Sequence, residues 1–247
     1  MAASQGEQLN VLCERYLEIV FSDRGNTLLL LLQAPLIAFF IVLTWRDVDS
    51  PTDSLYYVIA LTALWFGTFN ACREVVKEGP ILDREARLGL KPGPYLLSKL
   101  LVLALVSFIQ CMCLCFIVNR SVPLGGPPLL HFAYLWLTAL GGVGLGLVIS
   151  CLMSNSDKAV GSVVLVLIPQ MLFSEMVLSH EHSSNAIKWA EDFTFLSWAH
   201  QGMKEVTKAD WSYVTLSQSA FMLALLTAGL LLVSLFLLTL RTRKAQA

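Results

Sequence analysis

The chain has 247 residues, of which 56% are hydrophobic and 14% are charged, and its formal net charge is −1. Soluble domains carry roughly 25% charged residues, so this composition is typical of a membrane protein. The near-neutral charge gives no reason to expect nucleic acid as a partner. Five of the six cysteines lie in apolar runs, which favours buried thiols over disulfides or a metal site.

The first predicted element is an amphipathic helix that precedes the first apolar segment. Apolar residues recur at helical spacing from Leu9 to Phe21, and charged residues occupy the opposite face. The pattern breaks near Gly25, so we assign residues 1–26 to a cytoplasmic connecting helix. Two placements remain open: the helix lies along the membrane surface, or it packs on the cytoplasmic face of the protein.

Six apolar segments follow, each of 18 to 24 residues. At 1.5 Å per residue, each can cross a hydrocarbon core about 30 Å thick. Unsatisfied backbone groups are not tolerated in lipid, so the segments are predicted to be helices. We predict an all-α membrane protein with one six-helix domain over residues 27–240 and a cytoplasmic tail at 241–247. The spans are Thr27–Trp45, Leu55–Cys72, Tyr95–Val118, Leu130–Leu152, Val160–Leu178 and Gln218–Leu240.

The distribution of Lys and Arg predicts the orientation of these spans. With both termini in the cytoplasm, twelve of the 17 Lys and Arg residues fall inside and five fall outside. Cationic loops are retained on the cytoplasmic side, so this orientation is favoured. The charged connection between the second and third spans is then cytoplasmic.

The fourth span carries a row of small residues at every fourth position, namely Thr138, Gly142, Gly146 and Ser150. Such rows let helix backbones approach closely. The partner helix belongs either to this chain or to a second protomer, and packing within the chain is preferred.

The fifth span and the segment after it combine unusual residues. Pro169 is expected to bend the span, and Glu175 is an ionisable group near its outer end. An intramembrane acid is a functional candidate, although simple exposure at the interface is the alternative. Residues 179–216 are rich in aromatics among polar residues, which predicts one or two short helices folded back against the outer leaflet.

No motif for covalent chemistry or metal binding is present in the sequence. There is no G-x-x-x-x-G-K-[ST], so the chain is not expected to cradle ATP phosphates. The tripeptide His180–His182 lacks the H-E-x-x-H spacing of a zinc protease. We expect no catalytic residue, no metal and no cofactor on this chain.

The connection from Arg73 to Pro94 is dense in charge, with five bases and four acids. Gly79 and Pro80 are suited to start a helix, and Gly89 is suited to end it. The result is a short cytoplasmic helix with charges of both signs and apolar anchors, as expected of a docking surface for a soluble partner. An ordinary solvated helical hairpin is the alternative.

The stretch "REVVKEGPILDREARLGLKPGPYLLSKLL" resembles the coupling-helix region of ABC-2-type permeases, specifically the G-subfamily-like exporters. "LLLQAPLIAFFI" resembles the first span of bacterial members with a fused ATPase, and "AEDFTFLSWAHQGM" resembles the outer re-entrant helices. "IPQMLFSEMVL" resembles the fifth span, although Glu175 stands where glycine is usual. The positions that match the coupling-helix pattern are Glu78, Pro80, Arg84, Glu85, Gly89, Tyr95, Ser98 and Lys99.

The resemblance implies the transmembrane half of an ABC exporter in the bacterial plasma membrane. Two halves, as a homodimer or heterodimer, would face each other, and each would dock an ATPase through the segment Arg73–Gly89 and the N-terminal helix. ATP and Mg would be bound by that ATPase, which is expected on another chain or on a removed part. The implied coupling residues are Glu78, Pro80, Arg84, Glu85 and Arg87.

The resemblance also implies that the second and fifth spans line the substrate path, with Glu175 at an outer gate. A mostly apolar path favours a lipid-like or amphipathic cargo, and membrane lipid surrounds the protein. The path residues expected on these spans are Phe66, Phe69, Asn70, Leu165, Pro169 and Leu172.

Two other classes of function are compatible with a multi-span chain. An intramembrane enzyme would use His131, Glu175, His180 or His182, but such enzymes gather several polar groups at one depth, and this sequence does not. An ATP-independent channel or secondary transporter would be supported by inverted repeats, and none is found.

Overall fold

A computed structural model describes residues 5–48, 50, 52–173 and 185–246, and within them the secondary structure is entirely helical. The all-α prediction is confirmed for this part of the chain. The helices are α1 (Gln5–Ser22), α2 (Arg24–Trp45), α3 (Asp53–Ala71), α4 (Gly79–Arg87), α5 (Pro92–Ser121), α6 (Pro128–Leu152), α7 (Ser156–Leu172), α8 (Asn185–Asp192), α9 (Phe195–Val206) and α10 (Tyr213–Gln246).

Four helices of the described residues are long and apolar enough to cross a membrane: α2, α5, α6 and α10. The predicted second span corresponds to the helix α3, most of whose side chains are buried against other helices. The predicted fifth span begins within α7, and the remainder of Val160–Leu178 beyond residue 173 lies outside the described residues.

The core of the molecule is the close packing of α3 against α6. A Cβ atom added to Gly67 would lie 1.9 Å from the carbonyl oxygen of Ala139, and one added to Gly142 would lie 2.3 Å from that of Leu64. At Gly146 the corresponding distance to the Thr68 carbonyl oxygen is 2.5 Å. Only glycine permits this approach. The row of small residues therefore packs within the chain, as preferred from the sequence.

The N-terminal helix ends earlier than the sequence pattern predicts. The break between α1 and α2 lies at Asp23, whose carboxylate accepts a hydrogen bond from the backbone N–H of Asn26 at 3.3 Å. This cap allows Gly25 to enter the first turn of α2 instead of ending α1. Leu12 and Tyr16 are buried, and α1 packs against α5, so this face of the helix contacts the rest of the chain.

The last helix, α10, is longer than the predicted sixth span. Its 34 residues extend about 51 Å at 1.5 Å per residue, well beyond a hydrocarbon core of about 30 Å. At one end, the Tyr134 hydroxyl donates a hydrogen bond to the Leu216 carbonyl oxygen at 2.6 Å. At the other end, the helix continues through Arg241, where the prediction placed a tail.

Candidate functional site

The short helix α4 is defined by the residues that the sequence singled out. Pro80 lies in its first turn, where its missing N–H costs nothing, and Gly89 follows its end with a φ of +96° that favours glycine. Leu82 and Ala86 are buried on the inner face of α4. The predicted helix from Pro80 to Gly89 is therefore present.

One exposed side of α4 carries a row of one basic and two apolar side chains. Ile81, Arg84 and Leu88 follow at spacings of three and four residues, so they share one side of the helix. Ile81 is 45% exposed and Leu88 is 83% exposed. The Arg84 side chain is also exposed, and no ion pair joins it to the residues that the structure describes. We call Ile81, Arg84 and Leu88 the docking stripe.

Behind α4 lies a buried ion pair between Glu78 and Lys99. The Lys99 Nζ atom lies 2.5 Å from Glu78 Oε1, and the two side chains are only 3% and 10% exposed. The Tyr95 hydroxyl donates a hydrogen bond to Glu78 Oε2 at 2.9 Å. The Tyr16 ring covers the ammonium group, with its centroid 3.6 Å from Nζ. Each charged atom thus has a partner, as a buried pair requires.

A second acid, Glu74, extends this network to α1. It accepts a hydrogen bond from the Tyr16 hydroxyl, and the Lys77 Nζ atom lies 2.6 Å from its Oε1. Burial, and then the nearby Glu74 carboxylate, raise the pKa of Tyr16 well above its ordinary value. Tyr16 therefore remains protonated and acts as the donor. The network holds α1, the connection 72–78 and the start of α5 together.

A partly exposed ion pair joins α1 to α4 directly. The Arg15 Nη1 atom lies 2.6 Å from Glu85 Oε1. Exposed pairs contribute about 0–1 kcal/mol, so this contact orients α4 more than it stabilises the fold. The hydrogen bond from Arg15 to Glu85 raises the pKa of Arg15, so the guanidinium stays charged at any physiological pH.

The structure divides the predicted coupling residues into two groups. Pro80, Arg84 and Arg87 are exposed on α4, and Glu85 is half-buried against α1. Glu78 differs, because its carboxylate points inward and is paired with Lys99. It holds the docking helix in place and is not a surface contact. Lys99 matches the coupling pattern in the sequence, but no sequence signal indicates its partner Glu78 or the role of Tyr16.

Of the path residues predicted on α3, only Phe69 is partly accessible. Phe66 is 0% exposed, and the Asn70 side chain donates a hydrogen bond to Gln110 Oε1 at 2.6 Å inside the chain. Phe69 is half-buried and stacks on the exposed ring of Trp65, with centroids 4.9 Å apart. The predicted helix phase is therefore corrected: Phe66 and Asn70 face α3's neighbours, and Trp65 with Phe69 faces outward.

The path residues predicted on α7 share one exposed face. Leu165 is 71% exposed, and Pro169 and Leu172 follow it at spacings of four and three residues, both exposed. This leaves an apolar face of α7 without a partner among the described residues. Glu175, the predicted outer gate, lies outside the described residues.

Comparison with known proteins identifies the family of the chain. Residues 7–207 match the family model of the ABC-2 type transporter. The chain is also 24% identical over 186 residues to the ABC transporter ATP-binding/permease protein Rv1747 of Mycobacterium tuberculosis, an alignment that covers 68% of this chain. It covers 22% of the relative, so this chain spans about a fifth of that protein's length. The family match covers most of the sequence, and the chain belongs to the ABC-2 type transporter family.

Proposed function

We propose that the chain is the transmembrane half of an ATP-driven exporter, with six spans that include α3 and α7. The observation that carries this proposal is the docking stripe, which presents a charge between two exposed apolar side chains on a firmly anchored helix. The match to the ABC-2 type transporter family supports a transport role. The chain itself performs no covalent chemistry, and ATP with Mg is bound by a partner ATPase.

The docking stripe and α1 form the proposed surface for that ATPase. Large apolar side chains that remain exposed next to charges are typical of protein interfaces. The buried network behind α4 fixes the position of the helix, so a force applied to it is passed to α5. The similar mycobacterial protein is named for both ATP-binding and permease functions, which supports an ATPase partner.

A second permease half is the proposed partner for the exposed faces of α3 and α7. Trp65 and Phe69 on α3, together with Leu165 and Leu172 on α7, offer apolar surface for a symmetric contact or a substrate path. An apolar path favours a lipid-like or amphipathic cargo. Glu175, at the end of the fifth span, is proposed to contribute to the outer gate.

The docking stripe can be tested through Arg84. Arg84→Ala is expected to weaken association with the ATPase that co-purifies with the wild-type chain by roughly tenfold to a hundredfold, since a charge-assisted hydrogen bond contributes about 1.5–3 kcal/mol. The affinity is measured by binding of the purified ATPase to the detergent-solubilised chain immobilised on a surface. The matched control is Arg24→Ala, which removes an exposed Arg outside α4. Equal affinity of the wild type and Arg84→Ala would contradict the proposed surface.

The orientation can be tested by thiol labelling in sealed cells that express the chain without its ATPase, after the six native cysteines have been replaced. A cysteine at Ser50, which is exposed, is expected to react with an impermeant reagent from outside, whereas Leu88→Cys should react only after permeabilisation. Leu88 is the appropriate position because Ala86, on the same helix, is completely buried and would not react from either side. Labelling of Leu88→Cys in sealed cells would reverse the orientation.

A further inference from the structure

The C-terminal end of α10 is joined to α4 by a bidentate ion pair between Arg241 and Asp83. The Arg241 Nε atom lies 3.0 Å from Asp83 Oδ1, and Nη2 lies 3.2 Å from Oδ2. This is the fork geometry in which guanidinium and carboxylate groups orient each other most strictly. A Cβ atom added to Gly79 would lie 2.6 Å from Arg241 Nη2, so the absence of a side chain there allows the guanidinium to lie against the start of α4.

Asp83 and Arg241 line a groove beside α4. The groove has a volume of about 550 Å³ and lies between α4 and the ends of α6 and α10. Its walls include Val76, Pro80, Met153 and Leu237. Among the helices described, α10 is the one whose backbone lies directly against α4, whereas α1 and α5 reach α4 through side chains. The principal neighbour of the docking helix is therefore α10.

The opposite end of α10 is attached to the outer helix α9. The backbone N–H of Ser212, just before α10, donates a hydrogen bond to Glu205 Oε1 at 2.8 Å. The nearby Lys208 ammonium and this N–H lower the pKa of Glu205, which is therefore ionised at neutral pH. A helix about 51 Å long thus has one end fixed to α9 and the other to α4.

We propose that Arg241 is a positioning residue that couples α4 to α10, so that displacement of α4 by the ATPase moves α10 and, through it, α9. The inference rests on the proposed function, because it needs an ATPase that acts on α4. A hydrogen-bonded helix transmits an axial displacement along its length, and α10 has no break among its described residues. Loss of the Arg241–Asp83 pair leaves α4 able to move without carrying α10.

The test uses the complete transporter with its ATPase in lipid nanodiscs. Nitroxide labels on Val214→Cys and Arg46→Cys, both at exposed positions near the outer helix ends, report the position of α10. Pulsed electron paramagnetic resonance measures the distance between the labels, first without nucleotide and then after the complex is trapped with MgATP and vanadate. Arg243→Ala is the matched control, since it removes an exposed charge two residues from Arg241.

The wild type and Arg243→Ala are expected to show the same nucleotide-dependent change in distance. Arg241→Ala is expected to lose at least half of that change while still binding the ATPase and hydrolysing ATP. The double variant Asp83→Arg with Arg241→Asp is expected to recover the change in distance. Arg241→Lys keeps the charge but cannot form two parallel hydrogen bonds, so it is expected to recover only part of the change. Should Arg241→Ala fail to fold, the double variant and Arg241→Lys provide the comparison.

Three results would overturn the inference, and they can be distinguished from failure of the proposed function. If Arg241→Ala retains the full change in distance, or if the folded double variant does not recover it, Arg241 does not couple the helices. If the wild-type complex binds the ATPase but shows no nucleotide-dependent change in distance, the inference fails and the proposed function stands. If the wild-type chain binds no ATPase, the proposed function itself is contradicted, and the inference with it.

Discussion

Glu78→Ala is expected to lower the free energy of unfolding by about 3–5 kcal/mol, because it leaves the Lys99 ammonium buried without its counter-ion. Both side chains are almost fully enclosed, and the Tyr95 hydroxyl would lose its acceptor at the same time. Unfolding by titration with sodium dodecyl sulfate in mixed micelles measures the change. A loss of this size should also reduce the yield of monodisperse protein.

Two further variants separate the ion pair from the docking stripe. Glu78→Leu combined with Lys99→Met removes both charges and is expected to recover most of the stability, since a buried pair replaced by apolar groups is often neutral. Arg84→Ala, on the exposed face of α4, should change the free energy of unfolding by no more than about 0.5 kcal/mol. If Glu78→Ala unfolds like Arg84→Ala, the pair does not stabilise the fold.

Gly67→Ala is expected to disrupt the packing of α3 against α6. The new Cβ would lie 1.9 Å from the Ala139 carbonyl oxygen, which belongs to the backbone and cannot rotate away. Overpacking costs typically about 1–3 kcal/mol, and a backbone obstacle places this case at the upper end or beyond. The measurements are the same detergent unfolding titration and the elution profile in size-exclusion chromatography.

The control for this prediction is the same substitution in another membrane helix. Gly229 lies in α10, and a Cβ atom added there has no atom within 4 Å. Gly229→Ala should be neutral or stabilising by up to about 1 kcal/mol, because alanine is the better helix former. Equal stability of Gly67→Ala and Gly229→Ala would contradict the prediction, because it would show that α3 and α6 can move apart at little cost in free energy.

Much of the helix arrangement could be predicted from apolar length, glycine and proline. The ends of α4 follow from Pro80 and Gly89, whose backbone preferences are local. The row at Gly142 and Gly146 predicted close packing, because small residues at this spacing have few other uses in a membrane helix. The prediction of six spans rests on the same apolar lengths, and four of the helices meet the criterion on their own.

The orientation of side chains could not be predicted in the same way. The sequence shows that Glu78 and Lys99 are charged, but their pairing depends on how α5 returns beside α4. The phase of α3 was missed because apolar residues surround nearly the whole helix, and periodicity then does not distinguish Phe66 from Phe69. Its polar residue Asn70 was assigned to the path, whereas it bonds to Gln110 within the chain.

The buried ion pair between Glu78 and Lys99 also depends on the order in which the chain is synthesised and inserted. Glu78 precedes Lys99 by 21 residues, so the acid has already left the ribosome when the lysine enters the membrane. The lysine can therefore be neutralised as it is inserted. Arg15 precedes its partner Glu85 by 70 residues, which at about 5–20 residues per second is a wait on the order of several seconds. Throughout that interval the buried face of α1, which includes Tyr16, is available to chaperones or to the wrong partner.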